Sequence, residues 1–233
     1  THIGNDLFAW FKSTESKSRI NFLKLLRGQH NDFIINNAAI EYMKQQSLPR
    51  YQMRKFSDRI FTTEHKWRSF LFQKGVRKKH HKRIVTEAAL IGSLMEHGWN
   101  RNLAIVSDDA GQFNVLLHAL CWVHAERTIE VLVGYSDRQR RLLESVKKDI
   151  WELYRQLKKY RLAPHSNTKA DLKKGFDSIF GQKTGYASLD NALKRIGRNK
   201  SELLLVLDRP DIPLHNNLSE RDIREYVKRR KIS

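Results

Sequence analysis

The 233-residue sequence carries 44 lysines and arginines against 25 acidic residues, which leaves a net charge of +19 at pH 7. This excess predicts a polyanionic partner, and nucleic acid is favoured over an acidic membrane surface because no apolar run of about 18 residues is present. The single cysteine excludes a disulfide framework and a zinc site of the usual Cys/His kind. No signal peptide is visible, so we expect the protein in the reducing cytosol. Because the first residue is threonine, we also expect the sequence to be a segment of a longer protein.

The first hundred residues alternate between strand and helix patterns. We expect an early strand in 3–11, a helix in 18–27 that ends at Gly28, a short buried strand in 32–36, a helix in 38–46 and a second clear helix in 84–99 that ends at Gly98. Such alternation is typical of a layered α/β domain.

Residues 50–83 form a strongly basic segment with twelve lysines and arginines and only two acids. Six aromatic residues are interleaved with these cations: Tyr51, Phe56, Phe61, Trp67, Phe70 and Phe72. Either the cations neutralise phosphates while the rings pack or stack on bases, or the rings are core residues beneath a solvated basic face. For the segment as a whole we favour DNA contact, with Arg77, Lys78 and Lys79 among the contacts. The pair His80–His81 is better explained by the same basic patch than by a metal site.

The central stretch 103–127 combines an apolar strand pattern with acids at its end. Residues 103–106 are apolar and run into Ser107, Asp108 and Asp109. We expect a strand buried on both faces, and reactive groups in an open α/β sheet lie at the carboxyl ends of such strands. The alternative is that one aspartate only caps a short helix near 112–117.

Two further motifs lie downstream. Cys121 and His124 form a CxxH sequence that, taken alone, indicates a buried thiol and a hydrogen-bonded histidine. Farther along, two prolines precede an Asn217-x-x-Glu220 spacing that is typical of a helix start. A glutamate in a capping box needs no catalytic role, so this motif alone also has a purely structural explanation.

Together these motifs resemble the bacterial insertion-sequence transposases of the Asp-Asp-Glu (DDE) superfamily, and in particular the insertion sequence sixty-six type. The resemblance rests on CWVHAER at 121–127 and IPLHNNLSERDIR at 212–224, and it extends to residues 1–28, so it covers nearly all of the chain. It implies an α/β fold with an RNase-H-like catalytic core and a helical insertion between the second and third catalytic acids. The core would comprise 1–125, including the basic segment 50–83, and 208–233, whereas 126–207 would be the insertion.

The helical patterns after residue 125 agree with that arrangement. Apolar residues recur at three- and four-residue steps in 126–133, 137–160, 171–180, 188–196 and 201–207, and Pro164 breaks the longest of these patterns.

The resemblance also implies a function, namely Mg²⁺- or Mn²⁺-dependent cleavage and strand transfer of insertion-sequence ends. Asp108 would be the second metal-binding acid, with Asp109 as the alternative, and Glu220 would be the third. Cys121 and His124 would lie near the active site and either support it or contact the DNA. The basic side chains near Glu220 are expected to hold the DNA backbone: Arg221, Arg224, Lys228 and Arg229.

The first catalytic aspartate of the family lies upstream of the segment that matches THIGN, so Asp6 corresponds to a non-catalytic position. We therefore expect this chain to begin after its first acid. The alternative function is a catalytically incomplete DNA-binding fragment. The expected partners are double-stranded DNA, both transposon ends and target, and further copies of the chain on that DNA, without a membrane. The expected location is the bacterial cytoplasm, at the nucleoid.

Overall fold

The computed structural model describes residues 16–216 and, as backbone, the strands β1 (His2–Gly4) and β2 (Ala9–Phe11), which pair with each other. The chain divides into two compact units, whose fully described parts are residues 16–103 and 104–216. The described residues are mostly helical, with three two-stranded sheets. The predicted mixed α/β class is thus confirmed. Among the described helices, none combines the length and the apolar character that crossing a bilayer requires.

The first unit contains one small sheet and five helices in its described part. In chain order these are α1 (Arg19–Leu26), β3 (Phe33–Ile35), α2 (Asn37–Gln45), α3 (Arg50–Met53), β4 (Arg59–Phe61), α4 (Glu64–Gln73) and α5 (Lys79–Glu96). The strands β3 and β4 are antiparallel, with Ile34 opposite Ile60.

Short polar side chains begin three of these helices. Ser18 accepts a hydrogen bond from the Asn21 amide at the start of α1, and Asn36 and Thr63 cap α2 and α4 in the same way. Gly28 and Gly98 follow α1 and α5 with φ of 68° and 79°, a left-handed conformation that glycine adopts without strain. The predicted ends of both helices are confirmed.

Helix α5 packs directly on strand β3 at Gly92. A Cβ atom at this position would lie 2.1 Å from the Ile34 carbonyl oxygen. The side chain of Asn36 donates a hydrogen bond of 3.1 Å to the Gly92 carbonyl oxygen, which fixes the helix against the strand end.

The aromatic residues of the basic segment fall into two groups. Phe56, Phe61, Trp67 and Phe70 are buried, and the Phe61 and Trp67 ring centroids lie 5.2 Å apart. These four rings pack in the core, so the idea that they stack on bases is wrong, because burial removes them from any ligand. Tyr51 and Phe72 are instead exposed, to 57% and 85%.

The second unit contains a parallel strand pair followed by helices. The strands are β5 (Ala104–Ser107) and β6 (Leu117–Leu120), and the helices are α6 (Trp122–Glu130), α7 (Asp137–Leu162), α8 (Ser166–Gly181), α9 (Ala187–Arg198) and α10 (Lys200–Leu203), with a final 3₁₀ turn at Leu205–Leu207. Each helical pattern predicted after residue 125 corresponds to helical structure, but α8 begins five residues before the predicted 171, and the predicted 201–207 divides into α10 and the 3₁₀ turn.

Three details of the second unit differ from expectation. The helix expected near 112–117 is wrong, because Leu117 starts β6 and pairs with Ala104 of β5. The strand β5 is not buried on both faces, since Ala104, Ile105 and Val106 remain partly exposed. Helix α6 starts at Trp122, before the predicted 126, so the CxxH motif lies at a helix start.

The core of the second unit lies among its helices. Leu157, Leu189 and Leu193 are fully buried, and Trp122 is 2% exposed. The Trp122 indole Nε1 donates a hydrogen bond of 2.9 Å to the Leu203 carbonyl oxygen, so this large apolar ring keeps its polar atom satisfied.

Candidate functional site

A cleft of about 310 Å³ opens in the second unit at the carboxyl ends of β5 and β6. The polar or reactive side chains that line it are Asp108 and Asp109 after β5, Cys121, His124 and Thr128 of the α6 region, and Arg195 and Asn199 of the α9 region. Residues far apart in the sequence thus meet at one sheet edge, as expected for parallel strands.

The parallel pairing of β5 and β6 explains why the two motifs meet. Ser107 lies opposite Leu120, so both strands end at the same level. The Cys121 amide then donates a hydrogen bond of 2.8 Å to the Ser107 carbonyl oxygen. The chain leaves β5 into Asp108 and Asp109 and leaves β6 into the first turn of α6, on either side of the cleft.

Asp108 is partly buried and is held mainly by its own turn. Its Oδ1 accepts a hydrogen bond of 3.2 Å from the Ala110 amide. Among the residues that the structure describes, no lysine, arginine or histidine forms an ion pair with it. Asp108 thus lines the cleft without an ion-pair partner among the described residues.

Asp109, by contrast, is neutralised by the α9 region. The Arg195 Nη2 lies 3.0 Å from Asp109 Oδ2, and the Asn199 Nδ2 donates a hydrogen bond of 3.3 Å to Oδ1. Two adjacent aspartates thus have different surroundings, and this difference separates the two alternatives that the sequence left open.

Cys121 and His124 lie on the α6 side of the cleft. Cys121 is 1% exposed, which confirms the expected buried thiol. It occupies the N-cap position of α6, and His124 follows within the first turn, partly exposed. The structure brings both residues into the same cleft as the two aspartates.

The segment that leads towards Glu220 is anchored beside this motif. The Trp122 amide donates a hydrogen bond of 2.9 Å to the Leu214 carbonyl oxygen, and the Arg161 Nε donates one of 3.0 Å to the Pro210 carbonyl oxygen. Leu214 itself is buried. The remaining predicted site residues lie outside the described part of the chain: Glu220, Arg221, Arg224, Lys228 and Arg229.

A family model described as the transposase IS66 family matches residues 39–233. The chain belongs to this family. The uncharacterized protein y4jO of Sinorhizobium fredii is 43% identical over 243 residues, an alignment that covers all of this chain and 74% of that protein. No solved structure matches the chain. Both motifs that carried the resemblance, 121–127 and 212–224, lie within the range that the IS66 family model matches.

The side chains that line the cleft include only some of the ligands that a hard divalent cation prefers. Mg²⁺ prefers a few carboxylates together with water and substrate oxygens, and Asp108 offers such a carboxylate. Within residues 16–216, no group of three or more His, Cys, Asp or Glu side chains is arranged to hold a metal ion. Asp108 could supply one carboxylate, and a magnesium site here would need at least one further acid from outside the described residues.

Three of the basic residues predicted to contact DNA lie in the first unit. Arg77, Lys78 and Lys79 are exposed at the start of α5. Close by, burial lowers the pKa of His81, and the charges of Lys78, His80 and Lys55 lower it further, so the neutral ring is favoured. Among the described residues, no group of three or more His, Cys, Asp or Glu side chains that could hold a metal ion includes His80 or His81.

Sequence reasoning missed Arg195 and Asn199 as cleft residues. They are four residues apart at the end of α9, so the helical pattern alone indicates that they lie on the same face of the helix. Their partner Asp109 is 86 residues from Arg195 in sequence, and no local pattern names it.

Proposed function

We propose that this chain forms part of a DNA transposase that cleaves insertion-sequence ends and joins them to target DNA, using Mg²⁺ or Mn²⁺. Membership of the transposase IS66 family supplies the class of activity. The net charge of +19 supports a polyanionic substrate. The different surroundings of Asp108 and Asp109 are the observation that carries the assignment of the site.

Asp108 is the metal-binding acid of the cleft in this proposal. Bound Mg²⁺ or Mn²⁺ would stabilise the charge that develops on the attacking and leaving oxygens of the phosphodiester. A ligand for such an ion needs a carboxylate that no protein cation already neutralises. Asp108 meets this requirement among the described residues, whereas Arg195 and Asn199 occupy both oxygens of Asp109.

Glu220 is the proposed third acid. The hydrogen bond between the Trp122 amide and the Leu214 carbonyl oxygen supports this role, because it ties the chain six residues before Glu220 to the residue that follows Cys121. From the resemblance to the family we further propose that 1–125 and 208–233 form an RNase-H-like core and that 126–207 is a helical insertion.

Cys121 and His124 are proposed to support the acids rather than to react. The buried Cys121 packs at the helix start and leaves little room for a ligand, whereas the partly exposed His124 can donate a hydrogen bond to a phosphate oxygen in the cleft. Thr128 donates a hydrogen bond of 2.6 Å to the Ala125 carbonyl oxygen, so its hydroxyl is already engaged.

Contacts to the DNA backbone are proposed for two basic groups. The first is Arg77, Lys78 and Lys79, which are exposed. The second follows Glu220 in sequence and comprises Arg221, Arg224, Lys228 and Arg229. We further propose that the substrate is double-stranded DNA of the bacterial nucleoid and that several copies of the chain act together on it.

The test uses the full-length gene product that contains this chain, with a plasmid carrying the insertion-sequence ends. Asp108→Asn should abolish Mn²⁺-dependent nicking while DNA retention in a mobility-shift assay stays unchanged. Asp109→Asn is the matched control, because it removes one charge at the adjacent position, and it should keep most of the nicking.

Two outcomes would contradict the proposal. Nicking that survives Asp108→Asn would remove this residue from the site. Salt-sensitive DNA binding by the unchanged protein, without nicking under any divalent metal, would favour the alternative of a DNA-binding protein without catalysis.

A further inference from the structure

A chain of three hydrogen-bonded side chains lies directly behind Asp108. Ser107 ends β5, His118 belongs to β6 and Glu202 belongs to α10. His118 Nε2 lies 2.8 Å from Ser107 Oγ, and His118 Nδ1 lies 2.8 Å from Glu202 Oε1. The Ser107 hydroxyl donates a hydrogen bond of 2.7 Å to the carbonyl oxygen of Asp108.

This serine, histidine and glutamate have the order of a nucleophilic triad, but access excludes that chemistry. Ser107 and His118 are each 7% exposed, and neither lines the cleft. The Ser107 hydroxyl proton is directed to the Asp108 carbonyl oxygen. No substrate carbonyl reaches Ser107 Oγ, so these residues hold the protein in place and do not attack a substrate.

These hydrogen bonds link the helical part of the second unit to the peptide that carries Asp108. Each buried polar atom in it has a partner, and loss of one member would leave its neighbour buried and unsatisfied. The hydrogen bond from Ser107 fixes the main-chain carbonyl of Asp108, while the hydrogen bond from the Ala110 amide fixes its side chain. Together these contacts define where the carboxylate stands at the edge of the cleft.

Helix α10 is itself held from two other directions. The Trp122 Nε1 donates to the Leu203 carbonyl oxygen at 2.9 Å, and Lys200 forms an ion pair of 2.6 Å with Asp177 of α8. Glu202 therefore stands on a segment that stays in place when its own side chain is changed. This allows the contact to His118 to be removed without removing the helix.

We propose that His118 is a positioning residue that, through Glu202 on one side and Ser107 on the other, orients Asp108 for metal binding. This inference rests on the proposed function of Asp108. Groups behind a metal ligand change metal affinity or activity by about 10- to 100-fold when they are removed, and a loss of this size is expected here.

The experiment compares Glu202→Ala, Glu202→Gln and Asp177→Ala in the full-length gene product. Two quantities are measured: hydrogen exchange of the Ala110 and Cys121 amides, and the rate of Mn²⁺-dependent nicking at saturating DNA. The first amide reports on Asp108 and the second on the end of β5. His118→Leu, if it folds, is a second variant that breaks the hydrogen bonds between Glu202 and Ser107.

Glu202→Ala should quicken exchange at these two amides, leave α7 amides unchanged and lower the nicking rate by about 10- to 100-fold without weakening DNA binding. Glu202→Gln should keep both the amide exchange and the nicking rate close to those of the unchanged protein, because its amide oxygen still accepts a hydrogen bond from His118. Asp177→Ala removes only an exposed ion pair of α10 and leaves both Glu202 and the hydrogen bond from Trp122 to Leu203 intact, so it should behave as the unchanged protein.

Three results would overturn the inference: unchanged exchange and nicking in Glu202→Ala, an equal loss in Asp177→Ala, or faster exchange throughout the second unit. Failure of the proposed function is distinguishable, because it appears as nicking that survives Asp108→Asn. The exchange of the two amides judges the positioning role whether or not Asp108 binds metal.

Discussion

Arg195 lies 3.0 Å from Asp109 Oδ2, although the two residues are 86 positions apart, whereas the adjacent Asp108 has no such cation among the described residues. The pair is about half exposed, with side-chain exposures of 61% and 47%. This ion pair joins the α9 region to the turn after β5, and it leaves Asp108 as the one of the two neighbouring acids that no described cation neutralises.

A double-mutant cycle with Asp109→Asn and Arg195→Gln should give a small coupling free energy. Exposed ion pairs contribute about 0.2–1 kcal/mol, since water screens them. The measurement is the free energy of unfolding in urea for the four proteins. A coupling well above this range would mean that the pair is a major support of the cleft and would contradict its description as a partly solvated contact.

Gly92→Ala should destabilise the first unit strongly. The added methyl group would meet the Ile34 carbonyl oxygen at 2.1 Å and Asn36 Oδ1 at 3.1 Å, and Asn36 caps α2. Overpacking of this kind costs about 1–3 kcal/mol, and each kcal/mol lowers Tm by about 2–4 °C. Calorimetry measures the shift.

Gly181→Ala is the matched control for this substitution. No atom lies within 4 Å of an added Cβ at the end of α8, so its Tm should stay the same or rise. Equal Tm values for Gly92→Ala and the unchanged protein would show that α5 is not held this closely on β3.

Glu126→Gln should stabilise the protein at neutral pH. Glu126 is 6% exposed, and burial raises its pKa above the ordinary value of 4.5, with Glu130 raising it further. A carboxylate whose pKa is raised in the folded state destabilises that state at pH values above its folded pKa. This cost disappears as the pH falls through the folded pKa towards 4.5.

Thermal unfolding of Glu126→Gln should therefore show a Tm above that of the unchanged protein at pH 7, with a difference that shrinks as the solution is acidified. Each kcal/mol gained corresponds to about 2–4 °C. Glu152→Gln is the control, because Glu152 is an exposed glutamate whose hydrogen bonds from Arg155 and Gln156 lower its pKa, and its loss should not stabilise the protein. A lower Tm for Glu126→Gln at pH 7 would contradict the prediction.

Replacing Arg77, Lys78 and Lys79 together by alanine should weaken DNA binding and reduce its salt dependence. Each phosphate contact contributes about 0.9 to the slope of log affinity against log salt for duplex DNA, so a loss of about two to three units is expected. Titrations at several salt concentrations give the slope. A charge-matched triple change at the exposed Lys158, Lys159 and Lys173 should have a smaller effect. Equal effects would mean that binding depends on net charge alone.

Much of the helical structure was predictable from the sequence. Ser18 before an apolar pattern and Gly28 after it marked both ends of α1, because capping and the left-handed turn depend only on nearby residues. Helix α7 followed from apolar residues at three- and four-residue steps. The same local reasoning failed at 112–117, where Leu117 pairs with β5 instead of continuing a helix.

The candidate site was predictable in its residue types but not in its contacts. Asp108, Asp109, Cys121 and His124 were all expected at one site, and the structure places them around one cleft. The roles of Arg195 and Glu202 were not predictable, because each meets its partner across more than 80 residues of sequence. Membership of the IS66 transposase family was evident from two short motifs.

The sequence by itself determined the net charge of +19, the family and most helix ends, since these depend on composition, on short motifs and on hydrogen bonds between near neighbours. Only the tertiary structure decided which basic-segment rings are buried, which of the two aspartates is neutralised and which histidine lies behind the other one, Asp108. These features depend on packing between distant segments, where a side chain's partner is chosen by the fold and not by its neighbours in the chain.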